Sequence, residues 1–388
     1  MARKAYLIAD LGYGDAGKGS IVDFLARNTK ASLVVRYNGG CQAAHNVVLP
    51  DGVEHTFSQY GSGTFAGAAT FLSRFMVFCP ENLMNEIDAL IERGYEEAAK
   101  VYIDERAPIT TLFHKSVNRI KERSRGNSRH GSCGQGIGET MQDVEDGIAL
   151  CAGDLLKPDL EKKLTDIFNA KSKLVKNDGS VDYEYLSDSD IITDILHNYE
   201  DILGFVEIVK PNWLRENIPD VSIFEGAQGV LLDPRYGHWP HVTRGNTTLE
   251  QADELLDEVG GVETIRIGVT RAYAVRHGAG PLPTETRGEN TPILKNEHNI
   301  KNKWQGKFRV GFFNVDEINK AIEACPVDYL AVTCLDHVET PWDYLRTGGW
   351  FREQESITKA IIHNTHLPIL IESYGPTHKD KKINGELI

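Results

Sequence analysis

Asp15 stands inside "LGYGDAGKGS" (11–20), a glycine-rich stretch that follows the apolar run "AYLIAD" (5–10) and leads into "IVDFLA". Backbone N–H groups of such a turn, with the helix start behind it, form a cradle for phosphate. Gly12-x4-Gly17-Lys18 nearly matches P-loop spacing, yet Gly19 occupies the place of the Ser or Thr that would ligate magnesium. A carboxylate among phosphates is repelled unless it ligates Mg²⁺ or takes a proton from the substrate. Asp15 therefore points to one of those two chemistries. Further candidates are His45 in "RYNGGCQAAHNV" (36–47), Gln228 in "FEGAQGVLLD" (224–233), Thr243 in "HVTRGNTT" (241–248) and Asp336 after "YLAVTCL" (329–335). Taken singly, His45 reads equally as a satisfied turn histidine, Gln228 as a loop cap, Thr243 as a turn residue and Asp336 as a helix N-cap.

The elements that must position these residues are apolar runs: 5–10, "ASLVVRY" (31–37), "FMVFC" (75–79), "AKVYID" (99–104), "VSIFEGA" (221–227), "TIRIGVTRAYAV" (264–275), 329–335 and "LPILIESY" (367–374). Helical patterns such as "ENLMNEIDALIERGY" (81–95) and "VDEINKAIEACP" (315–326) alternate with them. This alternation predicts an α/β fold, a large, mainly parallel twisted sheet flanked by helices, with a P-loop-like phosphate loop. Residues 155–220 are polar and contain "IITDILHNYEDILGFVEIV" (191–209), so they are expected to form a helical insertion on a single 1–388 domain.

A formal net charge of −14 argues against a nucleic-acid or membrane-surface partner held by bulk electrostatics. The six cysteines show no CxxC pairing, the N-terminal apolar run is too short for a signal peptide, and no stretch approaches membrane-spanning length. These features lead us to expect a reduced, cytoplasmic enzyme.

The phosphate loop, "CQAAHNV", "FEGAQGVLLD", "HVTRGNTT" and "GAGPLPTE" (278–285) occur together in an order that resembles adenylosuccinate synthetase over roughly residues 5–376. The resemblance implies a ligase that phosphorylates the 6-oxygen of a purine nucleoside monophosphate with GTP or ATP and Mg²⁺, then displaces the phosphate with the amine of L-aspartate. It implies Asp15 as the base that removes the purine N1 proton, His45 as the acid at the 6-oxygen, and Lys18 on the transferring phosphoryl group. Magnesium would be held by Asp15 and the carbonyl of Ala44. The donor nucleotide would lie on Gly14, Ala16, Gly17, Gly19, Ser20 and Asn46, its base on Cys334, Leu335 and Asp336 and on Ser373, Tyr374 and Gly375. The monophosphate would meet Asp15, Gln42, Ala43, Ser132, Cys133, Gln228 and Thr243. Aspartate would meet Lys307 and Arg309, and the chain would form a homodimer.

Departures from the family pattern cluster where substrate sits. Gln42 replaces an asparagine near the purine, Ala16 a glutamate of the phosphate loop, and Cys334 a lysine on the donor base. Gly147 lies where an arginine crossing the dimer is expected, and the arginine run for aspartate thins to "GKFRVG" (306–311). Since Asp15 and His45 are both kept, these changes suggest altered nucleotide specificity. They lean toward the branch that uses dGMP to make N6-succino-2-amino-2′-deoxyadenylate in phages with 2-aminoadenine DNA; IMP is the alternative. A P-loop-like GTP-binding module without ligase activity, the rival class, has no need for His45 or the 278–285 loop. A dinucleotide dehydrogenase would need an acidic residue near position 35, where Val35 and Arg36 stand.

Overall fold

The computed structural model describes residues 3–95, 100–126, 130–286 and 306–387. Ten strands form one sheet in the order Lys381–Ile383, Ile369–Ser373, Tyr329–Thr333, Val262–Arg271, Arg3–Asp10, Val221–Glu225, Leu33–Arg36, Ala69–Leu72, Val101–Asp104 and Val206–Val209. Every neighbouring pair is parallel except the edge pair Ile369–Ser373 with Lys381–Ile383. The strand that precedes the phosphate loop is thus central, in register with Val262–Arg271 on one side and Val221–Glu225 on the other.

Both faces of the sheet are apolar because both are covered, as parallel sheets require. Leu7, Val35 and Phe224 pack on one side with Leu255, Ile318 and Ile361 of three helices. Tyr6, Ile8, Val34 and Ile223 pack on the other with Ile21, Val22 and Leu25. The latter three belong to the helix Lys18–Thr29, which starts at Gly17 and stops at Lys30, both in the left-handed region. A third cluster joins Leu72 and Ile103 at the far end of the sheet to Leu164, Ile192 and Ile195 of the helices between 155 and 220.

The α/β architecture matches expectation, but three elements differ. "FMVFC" is not a strand of the sheet: Ala69–Leu72 takes that position, and 75–79 contributes only the bridges Gly40↔Val77 and Phe78↔Ile109. Its apolar residues are there to be buried, Met76 and Phe78 being wholly inaccessible. The helix expected over 191–209 ends at Ile202, and Val206–Val209 becomes the outermost parallel strand, so the 155–220 stretch is not wholly helical and also extends the sheet. "TIRIGVTRAYAV" divides: Val262–Arg271 stays in the large sheet, and Ala274–His277 turns out to pair with Phe308–Gly311. Of "AKVYID", Ala99 lies outside the described residues, and Val101–Asp104 is a strand.

Candidate active site

Asp10 ends the central strand, and its carboxylate braces the phosphate loop from within. Oδ1 accepts from the Gly12 N–H at 2.8 Å; Oδ2 accepts from the Ala16 N–H at 2.9 Å and from Lys18 Nζ at 3.0 Å. Lys18 Nζ also donates to the Gln228 carbonyl at 2.7 Å, which ties the loop to the "FEGAQG" turn. That turn sits so close that a Cβ on Gly229 would lie 2.3 Å from the Gly12 carbonyl oxygen, a contact only glycine allows.

Gly19 explains the departure from P-loop spacing. A Cβ there would lie 2.9 Å from the carbonyl carbon and from Cβ of His45. The first turn of the helix is therefore the surface against which the 41–45 segment is set, leaving no volume for a Ser or Thr side chain.

Asp15 has φ 60°, a left-handed conformation that costs a non-glycine residue on the order of 1 kcal/mol or more. Two groups hold it. Arg271 Nε donates to its carbonyl at 2.6 Å, and the His277 ring Nδ1 lies 2.9 Å from carboxylate Oδ2. Burial pushes the Asp15 carboxyl up, but the hydrogen bond from His277 and the charges of His277, Arg271 and Lys18 prevail and hold it below its ordinary value. It is ionised at neutral pH, and among the described residues Oδ1 has no hydrogen-bond partner.

His45 is buried, with Nδ1 2.6 Å from Oε1 of Glu225, a wholly inaccessible carboxylate at the end of its strand. Burial raises Glu225, but the charges of His45 and Arg36 and bonds from His45 and Ser62 bring it down to about 2. Burial lowers His45 in spite of Glu225. The carboxylate thus keeps its charge and accepts from Nδ1–H, so the other ring nitrogen of His45 is left for the cleft.

Asp15, Lys18, His45, Arg271 and His277 line one cleft of about 1400 Å³. It brings together the predicted Gly14, Asp15, Gly17, Lys18, Gly19, Ser20, Gln42, Ala43, Ala44, His45 and Asn46. Ser132, Cys133, Gln228, Thr243, Cys334, Asp336, Ser373 and Gly375 line it as well. Two acceptors in its wall, Gln42 Oε1 and Asp336 Oδ1, are buried without a hydrogen-bond partner among the described residues. Arg244, next to Thr243, also lines it; its Nη1 donates to Gln142 Oε1 at 2.7 Å, and among the described residues it has no carboxylate partner.

Five predicted residues do not line the cleft. Ala16 and Leu335 are buried, Ala16 contributing backbone bonds to Asp10 and to the Thr333 hydroxyl. Tyr374 is half exposed and donates to Glu372. Lys307 is exposed, its carbonyl accepting from the Gly278 N–H. Arg309 is committed elsewhere: it forks onto Glu285 and donates to the carbonyls of Gly278 and Gly280, fastening the 278–285 loop. Asp10, Glu225, Arg271 and His277 are the groups that the sequence reading missed. Asp10 and Glu225 carried a signal, each being an acidic residue that closes an apolar strand. His277 carried none.

The sequence profile of the adenylosuccinate synthetase family matches residues 7–366. The chain belongs to this family. Adenylosuccinate synthetases of Shewanella loihica and Proteus mirabilis are 32% and 30% identical to it over 342 and 345 residues, in each case 84% of this chain and 75% of the relative. In fold it is similar to the fully ligated adenylosuccinate synthetase of Plasmodium falciparum, with TM-score 0.79 and 19% identity over 98% of this chain and 99% of that one. It is also similar to the succinoaminodeoxyadenylate synthetase of cyanophage S-2L, with TM-score 0.69 and 17% identity over 100% and 97%. As an adenylosuccinate synthetase-type enzyme the chain is a carbon–nitrogen ligase that binds nucleotides.

Adenylosuccinate synthetases use Mg²⁺ as a family property. The oxygen donors in this cleft suit that ion: an ionised Asp15 with one oxygen not spent on the protein, and the exposed backbone of Ala44. Among the described residues no three acidic, histidine or cysteine side chains gather into a cage. One carboxylate beside a phosphate loop suits an ion that takes its remaining ligands from substrate phosphates and water. No described helix is long and apolar enough to cross a membrane.

Proposed function

We propose that this ligase joins L-aspartate to C6 of dGMP in two steps. Asp15 takes the N1 proton as the 6-oxygen attacks the γ-phosphorus of ATP or GTP and the nucleoside diphosphate leaves. The amine of aspartate then attacks C6 and phosphate departs, giving N6-succino-2-amino-2′-deoxyadenylate. An ionised Asp15 is a weak base, so the proton moves only as the O–P bond forms. That timing makes the surrounding donors important. The nitrogen of His45 opposite Glu225 supports the 6-oxygen, and phosphates in the cleft supply the negative charge that favours a protonated ring. Lys18 and the loop amides serve the phosphoryl group. Asp15 and the Ala44 carbonyl would hold Mg²⁺, whose chemistry is to neutralise charge on the donor phosphates. Asp336 accepts from the donor base, through N1–H and N2 of guanine or N6 of adenine.

The observation that carries dGMP is Gln42. Its side chain lines the cleft, and among the described residues its buried Oε1 has no hydrogen-bond partner. A buried acceptor left unpaired costs about 1–3 kcal/mol, and a 2-amino-6-oxopurine brings a donor that hypoxanthine lacks. The cyanophage S-2L enzyme of similar fold is bound to dGMP, with dATP as energy donor, which supports the same reading. IMP is the second reading, favoured by the 30–32% identity to adenylosuccinate synthetases. The family pattern also implies a homodimer, which light scattering tests.

Purified protein with aspartate, Mg²⁺, ATP or GTP, and either dGMP or IMP decides between the substrates. Phosphate release and a succinylated product with dGMP are expected. Turnover of IMP with none of dGMP overturns the proposal.

A further inference from the structure

We propose that His277 is a positioning residue for phosphoryl transfer, holding the Asp15 carboxylate through its Nδ1–H so that the second oxygen meets the purine. The proposal rests on the reading of Asp15 as the base. Three observations carry it.

Nδ1 lies 2.9 Å from Asp15 Oδ2, across a sequence separation of 262 residues. At that distance the carboxylate oxygen accepts and the ring nitrogen donates, which places the hydrogen on Nδ1.

The ring itself is held. His277 ends the strand Ala274–His277 and pairs in register with Phe308, whose ring it meets edge-on at 5.3 Å and 61°. Its side chain is only 16% exposed and lines the same cleft as Asp15.

Asp15 needs such a partner. Its backbone is in the left-handed region, and Arg271 secures only its carbonyl, not its carboxylate. Without a bond at Oδ2, the carboxylate is free to rotate toward Lys18 or Arg271, whose charges attract it. A base displaced by about 1 Å loses roughly a hundredfold in rate.

The test uses His277→Asn, His277→Gln and His277→Leu in the full-length protein, with the nucleotide pair that the turnover assay supports. The amide nitrogen of Asn occupies the place of Nδ1, whereas that of Gln reaches toward Nε2. The Leu and Gln variants are expected to lose roughly 10- to 100-fold in kcat, the effect of losing one hydrogen bond to a charged group. KM for both nucleotides should stay within about threefold, since the bond acts on the base and not on substrate binding. Asn should recover kcat to within about fivefold of the parent protein. A Leu variant with kcat within about twofold of the parent, or an Asn variant no better than Gln, overturns the proposal. If the Leu variant melts early or does not fold, the Asn–Gln comparison decides alone. Asp15→Asn, assayed alongside, separates the two ideas. Activity in that variant removes Asp15 as the base, whereas its inactivity beside a normal Leu variant removes only the role of His277.

Discussion

Gly19→Ala isolates the contact between the phosphate-loop helix and the segment that carries His45. The added Cβ would lie 2.9 Å from the carbonyl carbon and Cβ of His45 and 3.1 Å from the Asn46 carbonyl oxygen. Comfortable carbon contacts begin near 3.5 Å, so the two backbones must separate by roughly 0.5–1 Å. All three obstructing atoms belong to or adjoin main chain, which cannot swing aside as a side chain would. Overpacking of this kind costs about 1–3 kcal/mol, and Ala in place of Gly inside a helix returns about 1 kcal/mol. Net stability should therefore fall by only about 0–2 kcal/mol, while His45 moves by a distance that costs roughly 10- to 100-fold in rate. Phosphate release dependent on aspartate and monophosphate gives kcat, and a thermal melt on the same sample gives stability. A large loss of kcat with a nearly unchanged melt is expected. Full kcat in Gly19→Ala would show that the position of His45 is not set by this contact.

Three other outcomes follow from the geometry. Glu225 has a folded value of about 2, below its unfolded value near 4.3, so its contribution to stability is complete above that unfolded value and lost as pH falls toward 2. Denaturation midpoints measured against pH should show this acid limb, and Glu225→Gln should flatten it while lowering stability at pH 7. Arg244→Ala should raise KM for the monophosphate by roughly tenfold and leave kcat within about twofold, because the cation stands beside Thr243 with no carboxylate partner among the described residues; steady-state kinetics with varied monophosphate checks this. Arg309→Ala should reduce stability by roughly 1–2 kcal/mol through loss of its fork onto Glu285 and its bonds to the 278–285 carbonyls, with little specific effect on KM for aspartate; a melt and an aspartate titration test both halves.

The phosphate loop was legible in the sequence because local information suffices for it: glycines at turn spacing between an apolar strand and a helix. The same holds for the parallel sheet, whose strands are short apolar runs separated by amphipathic helices. The 75–79 run misled because burial alone does not make a strand; Met76 and Phe78 are core residues on a stretch that forms only isolated bridges. The break between Val262–Arg271 and Ala274–His277 was invisible because only Ala272 and Tyr273, neither a turn-forming residue, separate two strands that serve different sheets. The partners that give the site its chemistry were least legible. His45 meets Glu225 across 180 residues and Asp15 meets His277 across 262, and no local pattern records which distant strand end faces which. Arg309 shows the converse: its type suggested a ligand for carboxylate, and the carboxylate it binds is the protein's own Glu285.

The central strand of the sheet has its two neighbours in register, and Asp10, Glu225 and Arg271 occupy the ends of these three adjacent strands. The groups that brace the phosphate loop, His45 and Asp15 are consequently fixed to paired strands at the centre of the sheet. Gln42 and Arg244, which line the same cleft, lie instead on segments outside the strands. A lineage carrying this scaffold can change what it accepts while keeping how it reacts.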